Sequence, residues 1–362
     1  MSSQNFQTLK ELPIPLNQVQ YVLHKHEILI CGGYGQRACY SYHTIKNEYK
    51  FVCEYPRHVQ LHGHCVVKLV DNNNNKDRNQ VTLLSFGSSS FGLDKHTLVM
   101  KYLSVWSNDS SKSNEFNNYN KWIPFTDNRN HPIIIGRNKD CYIGARAVIG
   151  GSKSHLLFIT YKENDISVFD LNTFQFIKHA TLPTVNRISY HCFISNSENG
   201  QGQEMIKTKE EKNKQNYKML LFCFKTGLSI EYDEDNNTIQ FHNLHVCDDI
   251  APLSRYAYVY VNDIILFFGG ANYPNISKSL HKYLIRENKW TTLQNYLPIP
   301  LYDCVAILSE EDNHVYIIGG RDDTNMEVST HTKTKLRVCD PSLLVMICLF
   351  VHFNETQINC IV

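Results

Sequence analysis

Two stretches near opposite ends of the chain have closely similar sequences. Residues 6–33 read FQTLKELPIPLNQVQYVLHKHEILICGG, and residues 290–320 read WTTLQNYLPIPLYDCVAILSEEDNHVYIIGG. Each runs from an aromatic residue through Thr-Leu and Leu-Pro-Ile-Pro-Leu to two apolar stretches and a closing Gly-Gly. Agreement of this length does not arise by chance, so the chain is built from repeats, which constrain its fold more than any other feature.

A second recurring signal is a large, mostly aromatic residue, six mainly polar residues and another large residue. It occurs at residues 42–49 (YHTIKNEY), 169–176 (FDLNTFQF), 232–239 (YDEDNNTI) and 283–290 (YLIRENKW). A polar centre of Asn, Asp, Lys and Glu between large side chains is typical of a hairpin turn between paired strands. Another copy begins at Tyr102. Its second aromatic residue, Trp122, lies further along the chain than in the other copies because a Ser/Asn-rich stretch intervenes.

Six apolar runs mark six units of the repeat. They lie at residues 28–33, 82–88, 156–162, 220–226, 265–270 and 315–320. Short runs of β-branched and aromatic residues between turn signals indicate buried strands, so each unit supplies about four strands. Repeated four-stranded units of this length are typical of a β-propeller. We therefore predict an all-β fold, a six-bladed β-propeller of four-stranded antiparallel blades.

The units resemble kelch repeats, in which an apolar strand ends in Gly-Gly and is followed by a Tyr-containing strand, a turn and a Trp. The fifth unit matches best, with the run 264–268, then Gly269-Gly270, Tyr283 and Trp290. The first and sixth units match in part, and the second, third and fourth have lost the diglycine. The resemblance covers residues 6–341 and implies a fold of the kelch and galactose oxidase type. It says little about activity, because such propellers carry many functions.

The match between the two ends also predicts how the ring closes. Residues 6–13 correspond to the last strand of the fifth unit, and the sixth unit loses the pattern after an apparent third strand at 334–341. We therefore expect residues 6–12 to supply the outer strand of the sixth blade. The predicted propeller spans residues 1–341, with blades at about 14–56, 57–131, 132–183, 184–247, 248–298, and 299–341 plus 6–12. The tail, 342–362, fits no repeat.

Three insertions are polar and of low complexity, at residues 71–80, 107–120 and 195–215. Such composition predicts loops or disorder. Charges of alternating sign at 207–214 allow a short solvated helix there. Gly150-Gly151 precedes its apolar run instead of following it, so we place this pair in the hairpin between the first two strands of the third blade.

Charge and composition argue against some classes of partner and indicate the cellular compartment that we expect. The formal net charge is +1, from 36 basic and 35 acidic residues, which gives no electrostatic case for nucleic acid or a membrane surface as a partner. The polar start and the shortness of the longest apolar run, 343–350, argue against a signal peptide and a membrane span. Twelve cysteines without a Cys-x-x-Cys pair suit free thiols. We expect a soluble, cytoplasmic protein whose sequons at Asn236, Asn275 and Asn354 are unused.

Several patterns resemble chemical sites and are better explained by structure. The diglycines close strands instead of opening a helix, so a tight turn and close backbone approach are expected, not a phosphate loop. His62 and His64 alternate as on one strand face, and His24 and His26 repeat the spacing, but neither pair has a third ligand. The DEDNNT stretch at 233–238 lacks the glycine of a calcium loop and suits a hairpin.

No catalytic residue, cofactor or metal is predicted. No Gly-x-Ser-x-Gly signature occurs, and Cys31, Cys223 and Cys304 lie in apolar strand contexts, where thiols are usually inert.

Arginines are the more informative candidates. Arg57, Arg187 and Arg255 lie near the start of a unit's first strand, and two further arginines follow diglycines. In a propeller these two sets of loops open on one face, where clustered arginines suit an acidic peptide or a phosphorylated motif. The candidate partner-binding residues are Arg37, Arg57, Arg187, Arg255, Tyr273 and Arg321.

The function favoured by these observations is a non-catalytic protein–protein interaction module. We expect a monomeric ring, acting as a scaffold or adaptor, that presents loops on a rigid frame to a protein or peptide partner. The alternative is a propeller enzyme, either like the copper-radical oxidase of this fold or sugar-modifying, with its site at the channel mouth. The copper class needs two Tyr, two His and a Cys-modified Tyr at the metal.

Overall fold

The computed structural model describes residues 6–70, 80–89, 92, 94–106, 118–195, 216–338 and 345–347. Within these ranges the chain forms 27 β-strands. The described residues contain no helix that is long and apolar enough to cross a membrane. The proposed helix at 207–214 and nearly all of the three insertions lie outside the described residues.

The strands form six four-stranded antiparallel blades, as predicted. The first three blades, from the axis outward, consist of β2 (Gln20–His24), β3 (Glu27–Gly33), β4 (Gln36–His43) and β5 (Glu48–Glu54); β6 (Cys65–Leu69), β7 (Gln80–Ser88), β8 (Lys95–Leu103) and β9 (Ile123–Pro124); and β10 (Arg146–Gly150), β11 (Leu156–Tyr161), β12 (Asp165–Asp170) and β13 (Gln175–Thr181). The turn between β10 and β11 contains Gly151, which confirms the hairpin placement of Gly150-Gly151.

The remaining blades repeat this plan. They consist of β14 (Cys192–Ser195), β15 (Asn216–Cys223), β16 (Thr226–Asp233) and β17 (Thr238–Asn243); β18 (Ala257–Val261), β19 (Ile264–Phe268), β22 (Ser279–Leu284) and β23 (Lys289–Tyr296); and β24 (Val305–Ser309), β25 (His314–Ile318), β26 (His331–Val338) and β1 (Gln7–Thr8). A small hairpin, β20 (Ala271–Asn272) with β21 (Asn275–Ile276), extends the turn after β19. The stretch at 233–238 is the hairpin turn between β16 and β17, as expected.

The core is divided among the six contacts between neighbouring blades. Six clusters of buried apolar side chains each join strands of two adjacent blades. The cluster between the sixth and first blades combines Ile307 and Ile318 with Ile28 and Ile30. The point of ring closure is therefore packed like every other contact between blades, because each apolar run presents one face to each neighbour.

The N-terminal strand closes the ring, which confirms that prediction. Gln7 pairs with Lys333 and Thr8 with Thr332 along the outer edge of β26. The Leu9 amide then donates to the carbonyl oxygen of His331 at 2.8 Å. β27 (Val345–Ile347) pairs with residues 336–338 of β26, so part of the tail also pairs with a strand of the sixth blade.

In the fifth and sixth blades the diglycine packs against the segment that leads to the next blade. Gly269 and Gly319 have φ of 64° and 61°, and a Cβ on either would overlap the carbonyl oxygen of Leu301 or Leu16 respectively. The amide of the following glycine donates to that same carbonyl at 2.8 Å in both blades. The motif therefore has the structural role expected from the sequence, close approach of two backbones at a strand end.

Candidate functional site

One face of the ring, the loop face, is formed by the connections between blades and the turns between the second and third strands of each blade. These segments meet on one side because successive strands of a blade are antiparallel. All six arginine and tyrosine candidates lie in these segments or directly beside them: Arg37, Arg57, Arg187, Arg255, Tyr273 and Arg321.

Six residues, one from each blade connection, surround the channel at the loop face and form the mouth ring. Each lies two positions before an innermost strand, and each has a left-handed φ between 52° and 67°. Four backbone N–H groups donate to the carbonyl of the neighbouring member at 2.7–3.0 Å. The repeated geometry therefore fixes which side chains meet at the mouth. The members are Gln18, Gly63, Gly144, Tyr190, Arg255 and Asp303.

Four side chains of the mouth ring form one network across the channel. Arg255 donates from Nη1 to Oδ2 of Asp303 at 2.8 Å, and Gln18 donates from Nε2 to the same oxygen at 3.2 Å. The Tyr190 hydroxyl donates to Oε1 of Gln18 at 3.1 Å, and the Arg255 guanidinium lies 4.3 Å from the centre of the Tyr190 ring. Because Tyr190 and Gln18 come from opposite sides of the ring, the tyrosine spans the mouth.

The two glycines of the mouth ring make room for the tyrosine. A Cβ on Gly63 would lie 2.6 Å from Cε1 of Tyr190, and one on Gly144 would lie 2.7 Å from Cδ2. Neither position therefore accepts a side chain while the Tyr190 ring crosses the mouth. Four members of the mouth ring supply polar side chains, and the two glycines supply the space that the tyrosine needs.

Burial and neighbouring charges set the protonation states of the side chains at the mouth. Burial acts to lower the pKa of Arg255, but the charge of Asp303 and its hydrogen bond, together with Tyr190 and Tyr273, outweigh burial, so the pKa lies above its ordinary value. Burial raises the pKa of Tyr190, which stays a neutral hydrogen-bond donor. Burial and then the charge of Arg255 lower the pKa of the adjacent His62. The mouth therefore presents a guanidinium and neutral rings near pH 7.

Aromatic and charged side chains continue from Arg255 along the loop face as an arc over the fifth, sixth and first blades. Tyr273 is 59% exposed and meets Tyr302 edge-on at 5.6 Å between ring centres. Arg321 donates from Nη2 to Oε1 of Glu327 at 3.0 Å and lies 5.8 Å from the ring centre of Tyr34. We call Arg255, Tyr273, Tyr302, Arg321 and Tyr34 the aromatic–arginine arc.

A cavity of about 330 Å³ adjoins the end of the arc. Arg37, Arg57 and Tyr34 line it together with residues 59–61. Arg37 lies 3.6 Å from a carboxylate oxygen of Glu54, whereas Arg57 forms no ion pair within the described part of the chain. Two of the predicted arginines thus flank one recess.

The structure does not bring Arg187 to the others. Its guanidinium lies 3.7 Å from Glu163, with both side chains mostly exposed, at 71% and 57%. Of the six predicted residues, three therefore belong to the arc, two line the neighbouring cavity and one stands apart.

Sequence reasoning selected Arg255 and missed its partners. Gln18, Tyr190 and Asp303 occupy the equivalent position of other blades, so an alignment of the six units on their first strands would have found them together. Tyr34 and Tyr302 were missed as members of the arc, although Tyr34 follows a diglycine as Arg321 does.

The prediction that His62 and His64 share a strand face is wrong. Both precede β6, and Gly63 between them has a φ of 58°, which turns the backbone. His62 meets Tyr34 at the loop face, 4.9 Å between ring centres, whereas His64 is buried and its Nε2 lies 3.0 Å from the Cys31 carbonyl oxygen. Across the described ranges, no group of three or more His, Cys, Asp or Glu side chains is arranged to hold a metal ion.

Comparison with solved structures supports the fold. The chain is similar to the protein in the solved structure titled "Structure of YjhT", with a TM-score of 0.57 and 14% sequence identity. The similarity covers 92% of this chain and 97% of the other. No protein-family model and no curated protein sequence matches the chain. At this level of identity the similarity shows a shared propeller fold.

Proposed function

We propose that the loop face binds a protein or peptide partner and that the protein is a non-catalytic, kelch-type interaction module. The observation that carries this proposal is the aromatic–arginine arc. Tyrosine and arginine are the residues that most often dominate binding energy at protein interfaces, because they offer large contact areas together with hydrogen bonds. The kelch-like units 264–290 and 6–33 support the assignment to this class of propeller.

The arc is held in place before any partner arrives. Arg255 is anchored on buried Asp303, and Arg321 on Glu327, whose Oε1 also accepts from Nδ2 of Asn17 at 2.6 Å. Tyr302 is buried and hydrogen-bonded to Asn325, so the edge-on contact with Tyr273 is made to a fixed ring. Binding to such a surface costs little side-chain entropy, which favours specific recognition by a monomeric ring.

The charge pattern of the loop face specifies the partner segment. Arg255, Arg321 and Arg37 are each partly neutralised by a carboxylate, whereas Arg57 has no ion pair with any residue that the structure describes. A segment with one or two acidic or phosphorylated residues and an apolar or aromatic side chain fits this arrangement better than a polyanion does. A nucleic acid or a membrane surface is therefore not the partner we propose.

Affinity capture with matched variants tests the proposal. We expect a set of proteins retained by the wild-type protein and by Arg187→Ala, and lost from Tyr273→Ala and from Arg57→Ala. Arg187 is the control because it is an exposed loop-face arginine outside the arc and the cavity. A captured protein is then purified and titrated against the same four proteins. Equal affinities for all four would reject the arc and the cavity as the binding surface.

A further inference from the structure

A second cavity lies on the axis, beneath the mouth ring. It has a volume of about 90 Å³ and is lined by residues from the innermost strands of all six blades. A single buried water needs roughly 10–15 Å³ of such space, so the cavity has room for a small ion or several waters.

The polar lining of this cavity alternates around the ring. Tyr21 comes from the first blade, Arg146 from the third and Tyr258 from the fifth. The intervening blades contribute apolar side chains, among them Val66 and Phe193. Hydrogen-bonding groups therefore approach the axis from three directions, with apolar walls between them.

Arg146 is the one charged residue that lines the cavity, and it has no counterion among the described residues. Its Nη1 donates to the Ala145 carbonyl oxygen at 2.9 Å, and no carboxylate in the described ranges lies within ion-pair distance of it. A half-buried guanidinium without a counterion is unfavourable, because its lost hydration is not replaced. The site therefore carries an uncompensated positive charge.

The two tyrosines add polarity without adding negative charge. Burial raises the pKa of Tyr258, whose hydroxyl oxygen lies 3.4 Å from both the amide nitrogen and the carbonyl oxygen of Phe193 in the cavity wall. Tyr258 consequently stays a neutral hydroxyl. A cation flanked by phenolic hydroxyls, in a cavity with no described carboxylate in its lining, is suited to an anion with several oxygen atoms.

We propose that the axial cavity binds a small oxyanion, a phosphate or a short carboxylate, with Arg146 as its charged ligand and Tyr21 and Tyr258 beside it. The Tyr190 ring lies 5.9 Å from the Arg146 guanidinium and separates this cavity from the loop face. The oxyanion site is therefore distinct from the partner-binding surface, and either can exist without the other.

Titration with sodium phosphate, sulfate and acetate, at an ionic strength held constant with chloride, tests the site. We expect the wild-type protein to bind at least one of these anions, and Arg146→Gln to bind it at least tenfold more weakly. Arg187→Gln, which removes an arginine outside the channel, keeps the wild-type affinity. Preference for phosphate and sulfate over acetate indicates a phosphoryl ligand, and the reverse indicates a carboxylate. Equal affinity in the wild type and Arg146→Gln, or no binding of any of the three to the wild type, overturns the proposal.

A second variant and a second measurement cover the case in which Arg146→Gln does not fold. Tyr258→Phe keeps the ring and removes the hydroxyl, and we expect it to weaken anion binding several-fold. Crystals of the wild-type protein soaked in selenate should show an anomalous peak next to the Arg146 guanidinium. An unchanged affinity in Tyr258→Phe together with no peak at Arg146 contradicts the assignment.

Discussion

Arg255 and Arg146 face the same tyrosine from different depths of the channel, and their surroundings differ. Arg255 lies 4.3 Å from the Tyr190 ring centre and is paired with Asp303, whose side chain is 1% exposed. Arg146 lies 5.9 Å from that ring and has no ion pair in the described ranges. The charge of Arg255 already has a counterion within the fold, whereas the charge of Arg146 is available to a ligand.

The comparison separates two kinds of arginine that look alike in the sequence. At the mouth, Gln18, Tyr190, Arg255 and Asp303 hydrogen-bond to one another, so this network is mainly structural, although Oδ1 of Asp303 is buried without a partner among the described residues. On the axis, Arg146 lies between apolar walls and no carboxylate of the described residues lines the cavity. The difference gives opposite expectations for replacing the two arginines, and four variants test it.

The largest effect is expected for Arg255→Gln. It leaves the buried carboxylate of Asp303 without its cation, and breaking such a pair costs about 3 kcal/mol of unfolding free energy. Urea unfolding followed by tryptophan fluorescence measures this loss. Arg187→Gln is the matched control, since an exposed pair contributes less than about 1 kcal/mol. A loss as small as that of the control would mean that the mouth network is not structural.

A smaller loss is expected for Gly144→Ala. The added Cβ must adopt a φ of 67° and overlaps the Tyr190 ring, so the unfolding free energy should fall by about 2 kcal/mol. In a Tyr190→Ala background the overlap is gone and only the backbone term remains, roughly 1 kcal/mol. An equal loss in both backgrounds would show that the tyrosine does not cross the mouth as described.

The hydroxyl of Tyr190 should contribute less again. Tyr190→Phe keeps the ring on Gly63 and Gly144 and removes the hydrogen bond to Gln18, which is worth about 1 kcal/mol. The same urea assay detects it. If Gln18→Ala in the Tyr190→Phe background costs as much as it does in the wild type, the two side chains are not coupled.

The sequence was sufficient for most of the fold. The repeated apolar runs and turn signals predicted six blades, and the match of residues 6–13 to 290–298 predicted the closing strand, because strand pairing depends on local pattern. The mouth ring could not be predicted in this way. It depends on left-handed backbone at Gln18, Tyr190, Arg255 and Asp303. Residues other than glycine rarely adopt this conformation, so the sequence does not indicate it at these positions.

The candidate sites show the same limit. Arg255 was found because arginine at a blade connection is conspicuous, but Arg146 was missed because only the closed ring brings it to the axis with Tyr21 and Tyr258. The prediction for His62 and His64 was wrong because it assumed a regular strand between them. Their spacing suggested a strand, and one glycine with positive φ separates them. Local spacing gives the partners of a side chain only when the backbone between them is regular.

The most direct test compares Arg146→Gln with Arg255→Gln in chloride buffer, before and after phosphate, sulfate or acetate is added. Without oxyanion, Arg146→Gln should leave the unfolding free energy unchanged or slightly higher, within about 0.5 kcal/mol of the wild type, because it removes a charge that has no partner. The anion that binds should then raise the melting temperature of the wild type and not that of Arg146→Gln. A loss in Arg146→Gln as large as that in Arg255→Gln, with no change on adding any of the three anions, would contradict the distinction between the two arginines.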